Sequence, residues 1–155
     1  MYMKLKRRDA RKKLVTDARE VIDTCAGVTV RLAARQISRF LEERMQATEL
    51  SLAQFGLMTH IAAATDDTIS MLAERTGLEQ STLSRNLRAL EKRGLIEIAI
   101  VEQDLRRRSV WLTETGARRL EAAMPVWKDA HAELSALIDP VLVTRLRTAA
   151  AGIPG

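Results

Sequence analysis

The stretch Gln80–Gly94, QSTLSRNLRALEKRG, decides how the chain is to be read. Wound as a helix at about 100° per residue, it divides into two faces. Leu83, Leu87 and Leu90 share a narrow arc, the i, i+4, i+7 stripe that buries against a core. The opposite arc carries Ser81, Arg85, Arg88 and Lys92, with Thr82 and Ala89 beside them. A face made only for solubility mixes Glu with Lys, because opposite charges one turn apart stabilise each other. Here short hydroxyls lead and cations follow, and the only acid, Glu91, sits towards the apolar side. Such a face is suited to a polyanion.

Just upstream, Ala73 is small where two helices must approach closely, Gly77 supplies a tight turn, and Leu83 plugs the second helix into the first. Two short helices joined in this way suggest a helix-turn-helix. Downstream of Gly94 the period changes. LIEIAIV (95–101) is short and β-branched and reads as a strand, EQDLRRR (102–108) is a charged tip, and SVWLT (109–113) returns as a second strand with Val110 and Leu112 on one face. A helix-turn-helix followed by a two-stranded wing with three consecutive arginines is a DNA-reading architecture. In it the recognition helix enters the major groove by its N-terminal turn, where Ser81, Thr82 and Ser84 meet phosphate or base edges. Arg85 is long enough to take a guanine edge bidentately, and Arg88 and Lys92 lie nearer the phosphates.

Further out, a helical period runs from about residue 16 to 47 through Val21, Cys25, Val28, Leu32, Ile37, Phe40 and Leu41. So long a helix predicts packing against something beyond its own domain. Ser51 precedes a second helix, LAQFGLMTHIAA, and TDDT (65–68) supplies turn and N-cap for a third that ends at Gly77. Thr113 is the expected N-cap of a long helix with the stripe Ala117, Leu120, Met124 and Trp127, which Pro125 should kink or break. Asp139-Pro140 opens a last helix to about residue 151. Residues 4–13, KLKRRDARKK, hold seven basic groups against one acid. They read as a solvated helical start or, more sharply, as an arm that adds phosphate contacts.

The chain has 155 residues, 46% of them hydrophobic, with a formal net charge of +5, so it should fold rather than stay disordered. A sequence pI near 9.9 points to a polyanionic partner without separating nucleic acid from anionic membrane. No apolar run approaches the roughly 18 residues that span a bilayer. The basic start leads into Leu14, Val15, Thr16 and Asp17 rather than into the apolar core of a signal peptide. A single cysteine excludes an internal disulfide and suits a reducing cytoplasm, the expected location. His60 and His131 have no Cys, His or Asp companions at metal spacing, so no metal or other cofactor is expected. Phe55, Met124 and Trp127 fit either the lining of an inter-helix ligand pocket or plain core, core being the commoner use of such stripes.

The segments LSLAQFGLM, LAERTGLEQSTLSRNLRALEKRGLIE and DLRRRSVWLTETG together resemble the MarR (multiple antibiotic resistance regulator) family of winged-helix transcription factors, over about residues 25–150. Asp104, Arg106, Leu112 and Thr113 match the family's wing pattern, Asp-x-Arg followed by a strand ending Leu-Thr. The resemblance implies that Asp104 orients Arg106 for insertion into a minor groove, with Arg107 and Arg108 beside it. It also implies an obligate dimer in which the first helix and the last two interleave with those of a partner. Glu79 stands where relatives commonly place Asp, a better cap. Relatives that sense peroxide carry a cysteine about two positions beyond Cys25, where this chain has Gly27.

The expected fold is therefore mainly α with a small β-hairpin wing, a winged helix-turn-helix of order αααα-ββ-αα in an intertwined dimer. Residues 1–15 form a basic N-terminal arm, 16–47 and 114–151 a helical dimerisation region, and 48–113 the DNA-binding domain. The expected function is a non-enzymatic, sequence-specific regulator, a repressor at a near-palindromic operator in double-stranded DNA, with release by a small-molecule effector kept open. Two alternatives stand beside it. One is a winged helix used as a protein-interaction module. The other is a redox regulator switched by Cys25, although that residue lies mid-stripe, where free cysteine usually behaves as a small buried hydrophobe. A thiol enzyme built on Cys25 lacks a nearby His or a resolving cysteine.

Overall fold

The computed structural model describes the backbone of residues 2–63, 68–101 and 104–154, and the side chains of 11–63, 68–99 and 108–154. Two compact units emerge, Met1–Arg39 and Phe40–Gly155. The first begins with α1 (Tyr2–Thr24), so the basic N-terminal stretch is helical. Cys25 separates α1 from α2 (Ala26–Met45), where one uninterrupted helix over 16–47 was expected. Cys25 is bonded to both helices: its amide donates to the Val21 carbonyl at 2.9 Å, and its carbonyl accepts from the Thr29 amide at 3.0 Å, the first bond of α2. Five α-helices thus precede the hairpin instead of four.

A 3-10 turn, η1 (Gln46–Thr48), follows α2. The buried Thr48 hydroxyl donates to the Met45 carbonyl at 2.7 Å and accepts from the Leu50 amide at 3.2 Å. The second unit then builds its core on α3 (Leu52–Ala63). Ser51 and Gln54 make a reciprocal capping box at its start: the Gln54 amide donates to the Ser51 hydroxyl at 3.1 Å, and the Ser51 amide to the Gln54 carbonyl oxygen Oε1 at 3.2 Å. Helix α4 (Ile69–Thr76) is capped by the Thr68 hydroxyl and closed by Gly77 at φ 62°, where a glycine relieves the left-handed turn. Residues 65–67 of the expected capping stretch lie outside the described residues.

Helix α5 (Gln80–Lys92) buries Leu83, Leu87 and Leu90 as its stripe requires. They join Met45, Leu57, Met58, Leu72 and Ile96 in one apolar cluster. Strand β1 (Ile96–Val101) pairs antiparallel with β2 (Asp104–Leu112). Val110 is buried and Leu112 packs against the same cluster, as their alternation predicts. A single bridge between Thr68 and Ser109 ties the wing to the start of α4.

Helix α6 (Glu114–Leu137) is capped by Thr113, whose hydroxyl accepts from the Gly116 amide at 2.9 Å and donates to the Gly94 carbonyl at 2.6 Å. Gly116 is demanded here, because a Cβ at that position would sit 1.8 Å from the Leu95 carbonyl oxygen. Pro125 does not break α6, which runs through it. Phe55 is core, and the half-buried Met124 and Trp127 pack against the same cluster, the Phe55 ring stacked on Trp127 with centroids 6.0 Å apart. Asp139 caps α7 (Pro140–Ala150) by accepting from the Val141 amide at 2.9 Å, and α7 buries no residue within the protomer.

Candidate nucleic-acid interface

Because α5 anchors three leucines in the core, its outer face is fixed. Ser81, Arg85, Arg88 and Lys92 are exposed along it, and Thr82 and Ser84 are half-buried at its flank. Among the described residues, Arg85, Arg88 and Lys92 form no ion pair. Three cations on one helix face, unpaired among the described residues, leave a positive surface suited to an outside anion. Glu91, expected towards the apolar side, is exposed as well.

The N-terminus of α5 is open. Glu79 occupies the N-cap, and its side chain makes no capping bond, so the first-turn amides keep donor capacity beside the Ser81 and Thr82 hydroxyls. Helix N-termini of this kind favour phosphate. Asn86, which the leucine pattern passes over, is buried and donates through Nδ2 to the Thr82 carbonyl at 2.9 Å. An i, i+4 polar residue on the apolar side is the only sign in the sequence that could have marked it.

The wing differs from expectation in its length. The charged stretch 104–108 is strand, not tip. Ile100 pairs with Arg108 and Val101 with Asp104, so Leu105, Arg106 and Arg107 form an insertion in β2 with no partner among the described residues. A bulge of this sort bends a strand and re-aims what it carries. Arg108 is exposed, whereas the side chains of Asp104, Arg106 and Arg107 lie outside the described residues. On the outer face of the hairpin, Trp111 donates from its indole to the Glu97 carboxylate at 3.1 Å, its partner in register.

A second cluster escaped the sequence altogether. Arg93, at the C-cap of α5, donates to the Glu49 carbonyl at 2.9 Å and to Gln54 Oε1 at 3.5 Å. Arg119 of α6 donates to the Glu49 carboxylate at 2.5 Å and to the Thr48 carbonyl at 3.4 Å. The Arg119 hydrogen bond and charge, aided by Arg93, hold the Glu49 carboxyl below its ordinary value of 4.5. Beside the cluster, between η1 and the first turns of α6, opens a cavity of about 370 Å³ lined by Ala47, Thr48, Thr115, Arg118, Ala122 and Val126.

Cys25, the candidate redox residue, is half-buried and free. Its stripe neighbours Val21 and Val28 are exposed in the protomer. His131 packs its ring on Trp127 with centroids 4.5 Å apart, and no group of metal-ligating side chains occurs among the described residues.

The MarR family model matches residues 48–107, from η1 into the wing. Among solved structures, the transcriptional regulator MosR of M. tuberculosis, in complex with DNA, is 32% identical with a TM-score of 0.72, and the likeness covers 83% of this chain and 93% of that one. A mutant MarR of E. coli complexed with operator DNA has the same fold at 23% identity and a TM-score of 0.72, over 84% of this chain and 94% of that one. An HTH-type transcriptional regulator of Bacillus cereus is 33% identical over 90 residues, which are 58% of this chain and 59% of the relative's length.

Proposed function

We propose, from the premise that this chain belongs to the MarR family of transcriptional regulators, that it works as a dimer on double-stranded DNA, a sequence-specific repressor at a near-palindromic operator. Helix α5 lies in the major groove. Ser81, Thr82 and Ser84 meet phosphate and base edges at its entering end, Arg85 takes a guanine edge, and Arg88 and Lys92 take phosphates. The wing lies over the neighbouring minor groove, with Asp104 orienting Arg106 into it and Arg107 and Arg108 alongside. Repression follows from occupancy of the operator. The cavity between η1 and α6 falls within the size range of small-molecule sites and supplies room for an effector.

One observation carries the reading: α5 buries its leucines and turns outward three cations that no described acid neutralises. The test is a salt titration of binding to random DNA and to a sequence that the protein itself selects from a random library. Affinity for both should fall steeply with salt, with a slope of about −0.9 per phosphate neutralised. The selected sequence should keep an advantage of about 10³-fold or more. Enrichment of no sequence would sink the operator reading and favour the interaction-module alternative.

A further inference from the structure

Glu49 is the only non-glycine residue among the described ones with a positive φ, at 57°. Left-handed backbone is unfavourable for a side chain and persists where the surroundings over-determine it. Glycine would relax this position, so the carboxylate needs a reason to be there. Its bonds supply one. The carboxylate is gripped by Arg119 on α6, which also holds the preceding carbonyl at Thr48. With residue 49 so fixed, its own carbonyl is presented to Arg93, the residue that terminates α5. Arg93 is further steadied by Gln54, the capping residue of α3.

We propose that Glu49 is a positioning residue for DNA reading: a clasp that fixes the C-terminal end of the recognition helix against α6, and so sets the spacing at which two recognition helices of a dimer engage their half-sites. The inference rests on the DNA-reading function proposed above. Its logic is geometric. The α5 leucines fix which face points outward, but a single helix seated on an apolar cluster keeps freedom to tilt about that seat. A polar tie at one end, to the helix that continues towards the dimer region, removes that freedom. Arg119 and Arg93 bind one residue from two elements, through side chain and backbone respectively, so loosening either loosens both.

The test uses the full-length protein and two variants, Glu49→Gly and Arg119→Gln. Glu49→Gly keeps the left-handed backbone and relieves its strain while removing the carboxylate. Arg119→Gln leaves residue 49 intact and removes its anchor. Two readouts are taken. The first is the ratio of affinities for an operator selected by the wild type and for the same half-sites with one base pair inserted between them. The second is amide hydrogen exchange across Leu90–Leu95 in the DNA-free protein. Both variants should melt within a few degrees of wild type, lose threefold or more of the spacing discrimination, and exchange threefold or more faster at Leu90–Leu95 but not in α3. Spacing discrimination unchanged in both variants overturns the proposal. So does loss in Glu49→Gly alone accompanied by a lower melting temperature, because that pattern marks a merely structural turn. If the wild type selects no operator, the function proposed above fails, and unchanged exchange in the variants then independently overturns the clasp while faster exchange upholds it.

Discussion

Under the proposed DNA reading two arginines have different roles at the residue scale, and their removal should differ in kind. Arg85 stands at the centre of an outward face that the buried leucines hold in place. Arg85→Ala should weaken operator binding by about 1–3 kcal/mol and flatten discrimination at one position in each half-site. Arg106 sits in the β2 insertion, a place suited to narrow-groove reading, so Arg106→Ala should lose affinity chiefly on operators with A·T-rich flanks. Fluorescence titration on operator, flank-swapped and random duplexes separates them, and equal weakening on all three would refute base reading. Cys25 calls for the opposite expectation. It marks the joint between α1 and α2, its amide closing the first helix on Val21 and its carbonyl accepting the first bond of the second, and the chain holds no second cysteine to resolve an oxidised thiol. Gly27, at the position where peroxide-sensing relatives carry a thiol, has no side chain, and a Cβ there would meet Cys25 Sγ at 3.9 Å. Cys25→Ser should bind the operator within about twofold of wild type, and modest peroxide should leave both proteins on DNA. Release of the wild type alone would make Cys25 a switch.

At the scale of elements, what the sequence discloses and what it hides divide by range. Leu83, Leu87 and Leu90, the Thr68 and Thr113 caps and the Gly77 turn are local patterns, and each is realised as written. The Asp139-Pro140 start and the alternating Val110 and Leu112 follow the same rule. Local signals misjudged two features. The joint at Cys25 interrupts a period that continues on both sides, and β2 takes in the charged stretch because Ile100 and Val101 pair with it around an insertion. The Arg93–Glu49–Arg119 cluster was invisible because its members are 44 and 70 residues apart and none belongs to a repeating pattern. Gly116 is a middle case. It stands in the Leu-Thr-x-x-Gly run at the end of the wing, but only the contact with Leu95 shows why no other residue fits. Gly116→Ala must push the first turn of α6 off the wing base, so unfolding by urea should show a loss of about 1–3 kcal/mol, near the top of that range. An unchanged midpoint would mean that the close approach is not needed. The Glu49 clasp adds a pH expectation. Its carboxyl is held below 4.5, so its contribution is fully present above that value and is lost only as pH falls through the lower folded value. Exchange at Leu90–Leu95, corrected for intrinsic chemistry, should therefore stay flat from neutral pH down to about 4.5 and rise below it.

The whole molecule is governed by apolar surface that one protomer leaves uncovered. Helix α7 has 11 residues and buries none of them, although Val141, Leu142, Val143 and Leu146 make it strongly apolar. An isolated helix of that length is marginal in water, and apolar side chains on it add nothing to its stability until something covers them. Leu137, 70% exposed at the end of α6, continues the same patch. In the first unit, Leu14, Val21, Ile22 and Leu32 are likewise exposed along α1 and α2, Val21 and Leu32 lying on the stripe that the sequence shows from residue 16 onward. No helix among the described residues is long and apolar enough to cross a membrane. The dimer proposed above predicts that a second copy of the chain covers both sets. Sedimentation at micromolar concentration should show a dimer without DNA, and a stably folded monomer there would break the idea. The double substitution Leu142→Glu and Leu146→Glu should drive the protein to monomers while the winged unit, whose core contains neither residue, keeps its fold. Because two tethered half-site contacts raise apparent affinity by about 10²-fold or more, the monomer should lose at least that on the operator and little on an isolated half-site. Half-site centres should lie roughly 10 base pairs apart, so that both recognition helices meet one face of the duplex. Inserting about half a turn between them should bring the wild type down to the affinity of the monomer, whereas a wild-type dimer indifferent to that insertion would not be reading two half-sites at once.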